Sequence, residues 1–315
     1  MSGPAILAAA LLAATSPAPR RVAITFDDLP AVTVAVIGDG VPSDRAMTEK
    51  LLGAIRQSGA PAIGFVNEGK LAPAGGPPED ARVALLERWL EAGLDLGNHT
   101  YSHPDLHRVP LEDYQKDVAR GDEVTRRLLA ARKRQPRYFR HPFLHTGRDL
   151  TTKSGLEKFL AARGYSVAPV THDNSEWIFA RAYAGAARRG DRTLADRVAA
   201  AYVPYMEEKF DYFERQSRRL FEREIPQVLL LHANSLNADT FDALAAMMRR
   251  RGYTFVSLDE ALADEAYRSV DTYTGPAGIT WLHRWALSRE DRGVILPDEP
   301  RSPEFVLREA RIDAE

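Results

Sequence analysis

The sequence contains no cysteine. Disulfides, thiol nucleophiles and zinc–thiolate sites are therefore excluded, and any metal must be held by His, Asp or Glu. Nor does either sign of charge dominate, since 42 Lys and Arg face 44 Asp and Glu for a formal net charge of -2. That balance carries no electrostatic footprint for nucleic acid or for an anionic membrane surface. Long apolar runs are missing too. The wholly apolar stretch over residues 5–14 falls short of the about 20 residues that a transmembrane helix needs. No internal repeat or low-complexity tract is evident.

What is present describes a globular chain. Of 315 residues, 44% are hydrophobic and 27% charged, enough apolar surface to offset the entropy of ordering. The length suits one barrel-sized α/β domain or two smaller ones. Residues 1–19 carry no charged side chain, and Arg20 and Arg21 follow them. Their apolar run and small residues fit a secretory signal, although no Lys or Arg precedes the run. A periplasmic or secreted location is expected on this basis, and residues 1–19 are set apart from the fold.

Downstream, strand and helix patterns alternate. Strands are expected at 22–26, 62–66, 94–97, 138–139, 165–170, 228–231 and 253–256. Helices are expected at 46–57 with Ser43 as N-cap, and at 79–92, 111–132, 150–163 and 238–251. This alternation argues for an α/β fold with a mainly parallel sheet, barrel or open. A charged helical segment at about 180–223 reads as an insertion. Beyond about residue 264 the pattern weakens, and a tail is expected to wrap the core because Trp281, Leu282 and Trp285 need burial.

The polar residues that stand out follow the strands. They are Asp27 and Asp28, His99 and His103, Arg140, Asp173 and Glu176, and His232. In parallel α/β proteins the C-terminal strand ends converge on one face, where active sites lie. His99 and His103 are spaced to share one face of a helical turn and grip a metal ion, with Asp27 or Asp28 as third ligand. Zn²⁺ suits such a set, as would Co²⁺, Ni²⁺ or Mn²⁺. The other aspartate would serve as general base on the attacking water. Arg140 can hold a site carboxylate in place. His232 can act as general acid, oriented by Asp173 or Glu176.

Taken in order, these motifs resemble the polysaccharide deacetylase family, also called the NodB-homology domain or carbohydrate esterase family 4. Thr25-Phe26-Asp27-Asp28 is similar to its first motif, and His99-Thr100-Tyr101-Ser102-His103 matches the second, H-[S/T]-x-x-H. Arg140-His141-Pro142-Phe143 resembles the third, R-x-P-[Y/F]. Asp173 to Trp177 resembles D-x-x-D-W, and Leu230-Leu231-His232 matches L-x-H. The resemblance covers roughly residues 21–262. It implies a distorted (β/α) barrel of the NodB-homology type, here with a helical insertion and an irregular C-terminal tail. The expected division is a signal peptide at 1–19, a catalytic domain at 20–263 with the insertion at about 180–223, and an extension at 264–315.

The resemblance also implies a metal-dependent hydrolase that removes N-acetyl groups from an N-acetylglucosamine-containing glycan. Asp28, His99 and His103 would bind the metal, and Asp27 would be the base, positioned by Arg140. His232 would protonate the leaving amine. The Phe143 N–H would stabilise the oxyanion, and Trp177 and Leu230 would line the acetyl pocket. The same chemistry on a non-glycan or lipid-linked amide or ester, or an inactive glycan-binding protein, are the competing readings. Two departures from the family pattern bear on substrate preference. Glu176 stands where the family usually has Asp, and Leu144-His145 follows the aromatic of the third motif, where many members have Gly.

Overall fold

The expected strand at 22–26 is the middle of a longer one, β1 (Arg20–Leu29), whose residues Val22 to Asp27 are all buried. An apolar run buried on both faces belongs to a parallel sheet covered by helices. The computed structural model describes residues 20–73, 75–289, 299–313 and 315, so the expected signal segment lies outside the described residues. In chain order β1 is followed by α1 (Gly40–Ser58), β2 (Ala62–Val66), α2 (Asp80–Glu91), β3 (Asp95–Asn98), α3 (Leu111–Arg120), α4 (Glu123–Ala130) and β4 (Tyr138–Phe139). Then come α5 (Leu150–Ala162), β5 (Ser166–Val167), α6 (Glu176–Arg188), α7 (Arg192–Phe221), β6 (Gln227–His232), α8 (Ser235–Arg250), β7 (Tyr253–Phe255), α9 (Leu258–Leu262), α10 (Trp281–Ser288) and α11 (Glu304–Ala310).

The strands pair in the order β5-β4-β3-β2-β1-β6, with β7 on the start of β1, and every pairing is parallel. An isolated parallel bridge, His172↔Leu229, then brings the segment after β5 onto β6. The sheet therefore curls back on itself as a distorted (β/α) barrel, with a seam between the segment after β5 and β6. Register places the chemistry. Asp27 lies opposite His232, Val66 opposite Asn98, and Asn98 opposite Phe139. The residues just past these positions emerge together at one mouth. Beneath them Phe26 packs edge-on to Trp89 at 5.5 Å between ring centroids and against Phe241 at 5.8 Å, joining β1 to α2 and α8.

Several expected elements are corrected. The first helix begins at Gly40 after Asp39, so Ser43 sits inside the first turn rather than at the cap. Pro42 lies in that turn too, where its missing N–H costs nothing. The single helix expected at 111–132 is two, broken at Gly121. A Cβ at Gly121 would stand 2.4 Å from the Thr100 carbonyl carbon and 2.5 Å from the Tyr101 nitrogen, so the break seats the chain against the loop that follows β3. The strand expected at 165–170 makes a ladder of only two residues, because the chain then leaves β4 to reach β6. The helical segment expected at about 180–223 is α6 and α7, and α6 starts earlier, at Glu176. Their aromatic residues Tyr202, Tyr205, Phe210 and Tyr212 are buried, which is helix packing. In the tail, α10 buries Trp281, Leu282 and Trp285 beside Leu144, Val170, Tyr212 and Phe213.

Candidate active site

At the end of β1 the backbone turns left-handed at Asp28, with φ 69°. Neighbouring strand residues ordinarily point to opposite faces. The turn lets both Asp27 and Asp28 line one pocket. The loop after β3 is built similarly. Thr100 and His103 have φ of 70° and 58°, so the two histidines sit on a strained loop and not on a helical turn, which corrects the spacing argument. Side chains pin that loop. Asn98 Oδ1 accepts from the Thr100 N–H at 2.7 Å, Thr100 Oγ1 accepts from the His103 N–H at 3.1 Å, and Asp117 accepts from the Tyr101 and Ser102 N–H groups.

Asp28, His99 and His103 come together with donor atoms within 4.8 Å of one another. The His99 Nδ1 faces the Arg140 carbonyl at 2.8 Å. Donation there fixes the tautomer and leaves Nε2 free as a ligand, the usual arrangement behind a metal-binding imidazole. Burial holds His99 well below the ordinary histidine range, and His103 adds to this. Burial also lowers His103, against the pull of Asp28. Burial pushes the Asp28 carboxyl up, but Lys70, His103, His99 and His232 together outweigh it and hold it well below the usual carboxylate range. Two neutral imidazoles and one ionised carboxylate are the donor forms that a divalent cation requires, so this set fits one.

Asp27 is buried beside it. Arg140 Nη1 donates to both Asp27 oxygens, at 3.2 and 3.3 Å. The fully buried guanidinium is itself held by the Ala168 carbonyl at 2.8 Å and Thr25 Oγ1 at 3.0 Å, and it lies over the Phe65 ring at 4.7 Å. Burial raises Asp27 to about 6 despite the opposing pull of Arg140 and His232. A carboxylate poised there can take a proton near neutrality.

Across the mouth, His232 Nδ1 meets Glu176 Oε2 at 2.8 Å. The buried Glu176 also accepts from Asn234 Nδ2 and, at 2.8 Å, from Asn237 Nδ2. Burial lowers the His232 imidazole, but Glu176 more than reverses this, aided by Asp28 and Asp27, and the ring is raised to about 9. It is thus protonated at neutral pH, as a general acid must be. Of the two carboxylates expected near His232, Glu176 makes the bond. Asp173 lines the pocket, and its Oδ1 accepts from the Asn174 N–H at 2.8 Å.

Phe143 follows Arg140 at φ 57°, and Leu144 stands at φ 54°. This turn pushes the Phe143 side chain outward, 53% exposed, against His103 with 4.5 Å between centroids. Trp177, 44% exposed, and Leu230 line the same pocket. The pocket measures about 1260 Å³ and is bordered from the tail by Gly278, Glu299, Arg301 and Glu315. Every sequence-predicted site residue except Arg140 and Glu176 lines it, and those two stand behind Asp27 and His232. Sequence reasoning missed Lys70, whose Nζ lies 3.1 Å from Asp28 Oδ1. It missed Asn67, which donates to the His99 carbonyl, and Asn237. The run Asn67-Glu68-Gly69-Lys70 directly after β2 was the available signal, since it occupies a strand end like the others.

What the fold and the pocket define is a curled parallel (β/α) barrel with a buried carboxylate, a carboxylate-held imidazole and a His₂Asp set that could hold a cation, gathered at the C-terminal ends of its strands. The polysaccharide deacetylase family model matches residues 14–157 of this chain. A chitin deacetylase of Colletotrichum lindemuthianum is 28% identical over 161 residues, 50% of this chain and 54% of that protein. A peptidoglycan-N-acetylglucosamine deacetylase of Bacillus cereus is 28% identical over 123 residues, 39% of this chain and 36% of that one. The chain thus spans about half, or less, of the length of these curated relatives. Among solved structures, a family 4 carbohydrate esterase from Streptomyces lividans in complex with acetate aligns at TM-score 0.45 and 19% identity, over 78% of this chain and 97% of that one. A family 4 pseudoenzyme from Bacillus anthracis aligns at TM-score 0.47 and 14% identity, over 79% and 67%.

Proposed function

We propose that this chain is a metal-dependent N-deacetylase acting on an N-acetylglucosamine-containing glycan of the chitooligosaccharide or peptidoglycan type. One observation carries the reading. A buried carboxylate held by Arg140 and an imidazole held by Glu176 face a His₂Asp donor set in one pocket. Amide hydrolysis needs those parts together, whereas binding alone needs neither base nor acid.

Asp28, His99 and His103 would hold the cation, Zn²⁺ or alternatively Co²⁺, Ni²⁺ or Mn²⁺. When bound it would supply Lewis-acid polarisation of the amide carbonyl and of the attacking water. Asp27 takes the proton from that water as its oxygen attacks the acetyl carbon, and Arg140 keeps the carboxylate aimed. The Phe143 N–H donates to the developing oxyanion. As the C–N bond breaks, His232 gives its proton to the leaving nitrogen, releasing acetate and a free amine. Glu176 holds His232 in register, while Trp177 and Leu230 enclose the acetyl methyl. Asp173 borders the same wall.

In this reading the catalytic unit is 20–263 with the insertion at about 180–223, and 264–315 is an extension on it. Residues 1–19 export the chain to the periplasm or the exterior. No helix among the described residues is long and apolar enough to cross a membrane.

The test is acetate release from N-acetylated chitooligosaccharides and peptidoglycan fragments by the metal-loaded protein. Asp27→Asn should lower the rate by about 10²–10⁴-fold with metal content unchanged. A full rate in that variant, or no release by the native chain, refutes the assignment.

A further inference from the structure

A second His₂Asp cluster lies beside the first. Asp105, His107 and His145 also bring their donor atoms within 4.8 Å of one another, and none of them belongs to the chemistry assigned above. Its geometry differs from that of the first cluster in a way that decides its use. The rings of His99 and His103 are crossed at 75°, and their Nε2 atoms lie near the Asp27 and Asp28 carboxylates. Those of His107 and His145 are stacked, 8° apart with centroids at 3.8 Å. Imidazole lone pairs lie in the ring plane, so stacked rings aim them side by side instead of at a common point.

The nitrogens facing inward are also engaged. His145 Nδ1 meets Asp105 Oδ1 at 2.7 Å, and His107 Nε2 accepts from the Gly147 N–H at 3.3 Å. Asp105 is fixed in turn by the His107 N–H at 2.8 Å and by Arg108 at 3.3 Å. The Asp105–His145 pair therefore repeats the Glu176–His232 arrangement, with a carboxylate on Nδ1 and the opposite ring edge left over. His145 lines the pocket together with Phe143 and Gly278. A Cβ at Gly278 would lie 1.8 Å from the Phe143 carbonyl oxygen and 3.4 Å from His145 Cδ2, so glycine lets the tail pack closely against the turn that carries Phe143 and His145.

We infer that His145, oriented by Asp105 and stacked on His107, is a substrate-binding residue whose Nε2 hydrogen-bonds a sugar hydroxyl of the glycan outside the acetyl group. Its role is specificity, because a ring held in one orientation by Asp105 and His107 offers one directed polar atom beside the apolar face of Phe143, 5.8 Å away between centroids. An aromatic face and a directed polar atom are the pair of contacts that a pyranose ring presents to a protein. This inference rests on the glycan reading of the site and adds the residue by which the chain would recognise more than the amide.

The experiment compares chitotetraose with p-nitrophenyl acetate, an acyl substrate without hydroxyl groups, for the native chain, His145→Ala and His145→Gln. The ratio of kcat/KM for glycan over reporter should fall about tenfold in His145→Ala, through KM more than kcat. His145→Gln keeps a polar group at similar reach and should recover most of the ratio. Because the measured quantity is a ratio, partial unfolding of a variant cancels from it. Glycan turnover with an unchanged ratio overturns this inference alone. Cleavage of the reporter by the native chain with no glycan turnover overturns it together with the glycan reading. Two metal ions per native chain, reduced to one in His145→Ala, would instead make the cluster a second cation site.

Discussion

At the residue scale, the two groups that the proposed mechanism uses for proton transfer are set apart by their surroundings. Burial carries Asp27 up to about 6, and Glu176 carries His232 up to about 9. The base works ionised, so activity is lost as pH falls through the Asp27 value. The acid works protonated, so activity is lost as pH rises through the His232 value. The kcat/KM profile should therefore be a bell between those limbs. A bound cation favours the ionised carboxylate and the neutral imidazole, which moves both limbs downward. Glu176→Gln removes the charge that raises His232. Its alkaline limb should shift to lower pH, with the acidic limb far less affected, and a profile that does not move would separate Glu176 from the acid. The principal residues here were legible in the sequence because each follows an apolar strand. Their supports were not. Thr25, Asn234 and Asn237 become partners of Arg140 and Glu176 only through strand register and the entry of α8.

At the scale of elements, the tail is bound to the turn that carries Phe143. Arg284 of α10, fully buried, donates to the Leu144 carbonyl and, at 2.7 Å, to Thr146 Oγ1, and it lies 3.5 Å from Asp271. The Trp281 N–H donates to the Val170 carbonyl at 2.7 Å. Asp271 would keep its partner Lys153 at 2.6 Å, but Arg284→Met would leave the Leu144 carbonyl and Thr146 Oγ1 without their buried donor, at a cost of about 1–3 kcal/mol. Slippage of the Phe143 turn by about 1 Å would lower kcat by up to about 100-fold. Denaturant titration and steady-state kinetics on the folded fraction check both, and a normal kcat there would detach the tail from catalysis. The burial of Trp281 and Trp285 was foreseeable from their apolarity, but the target of Arg284 was not. The same limit applies to H-T-Y-S-H. Its spacing fits a helical turn, and only the contacts of Asn98, Thr100 and Asp117 reveal a left-handed loop.

At the scale of the whole molecule, the strand and helix alternation was enough to infer a parallel sheet. It could not separate a barrel from an open sheet, because closure rests on the bridge between His172 and Leu229, which leaves no periodicity. The donor set joins β1 to the loop after β3, two segments far apart in sequence, so a cation there binds the folded chain and not the unfolded one. Free metal at 100 times its Kd should stabilise the fold by about 2.7 kcal/mol. Chelation should lower Tm accordingly, and Asp28→Asn should abolish the difference. Equal Tm values with and without metal in the native chain would contradict the assignment of the ligands.

The position of the seam has a consequence for how the protein comes into being. Asp27, Asp28, His99, His103 and Arg140 all precede it, whereas Glu176 opens the long helical excursion that crosses it and His232 follows that excursion. A ribosome delivers the first group well before the second. In the proposed mechanism the nascent chain thus acquires its cation ligands and base before its acid, which arrives only when β6 pairs with β1.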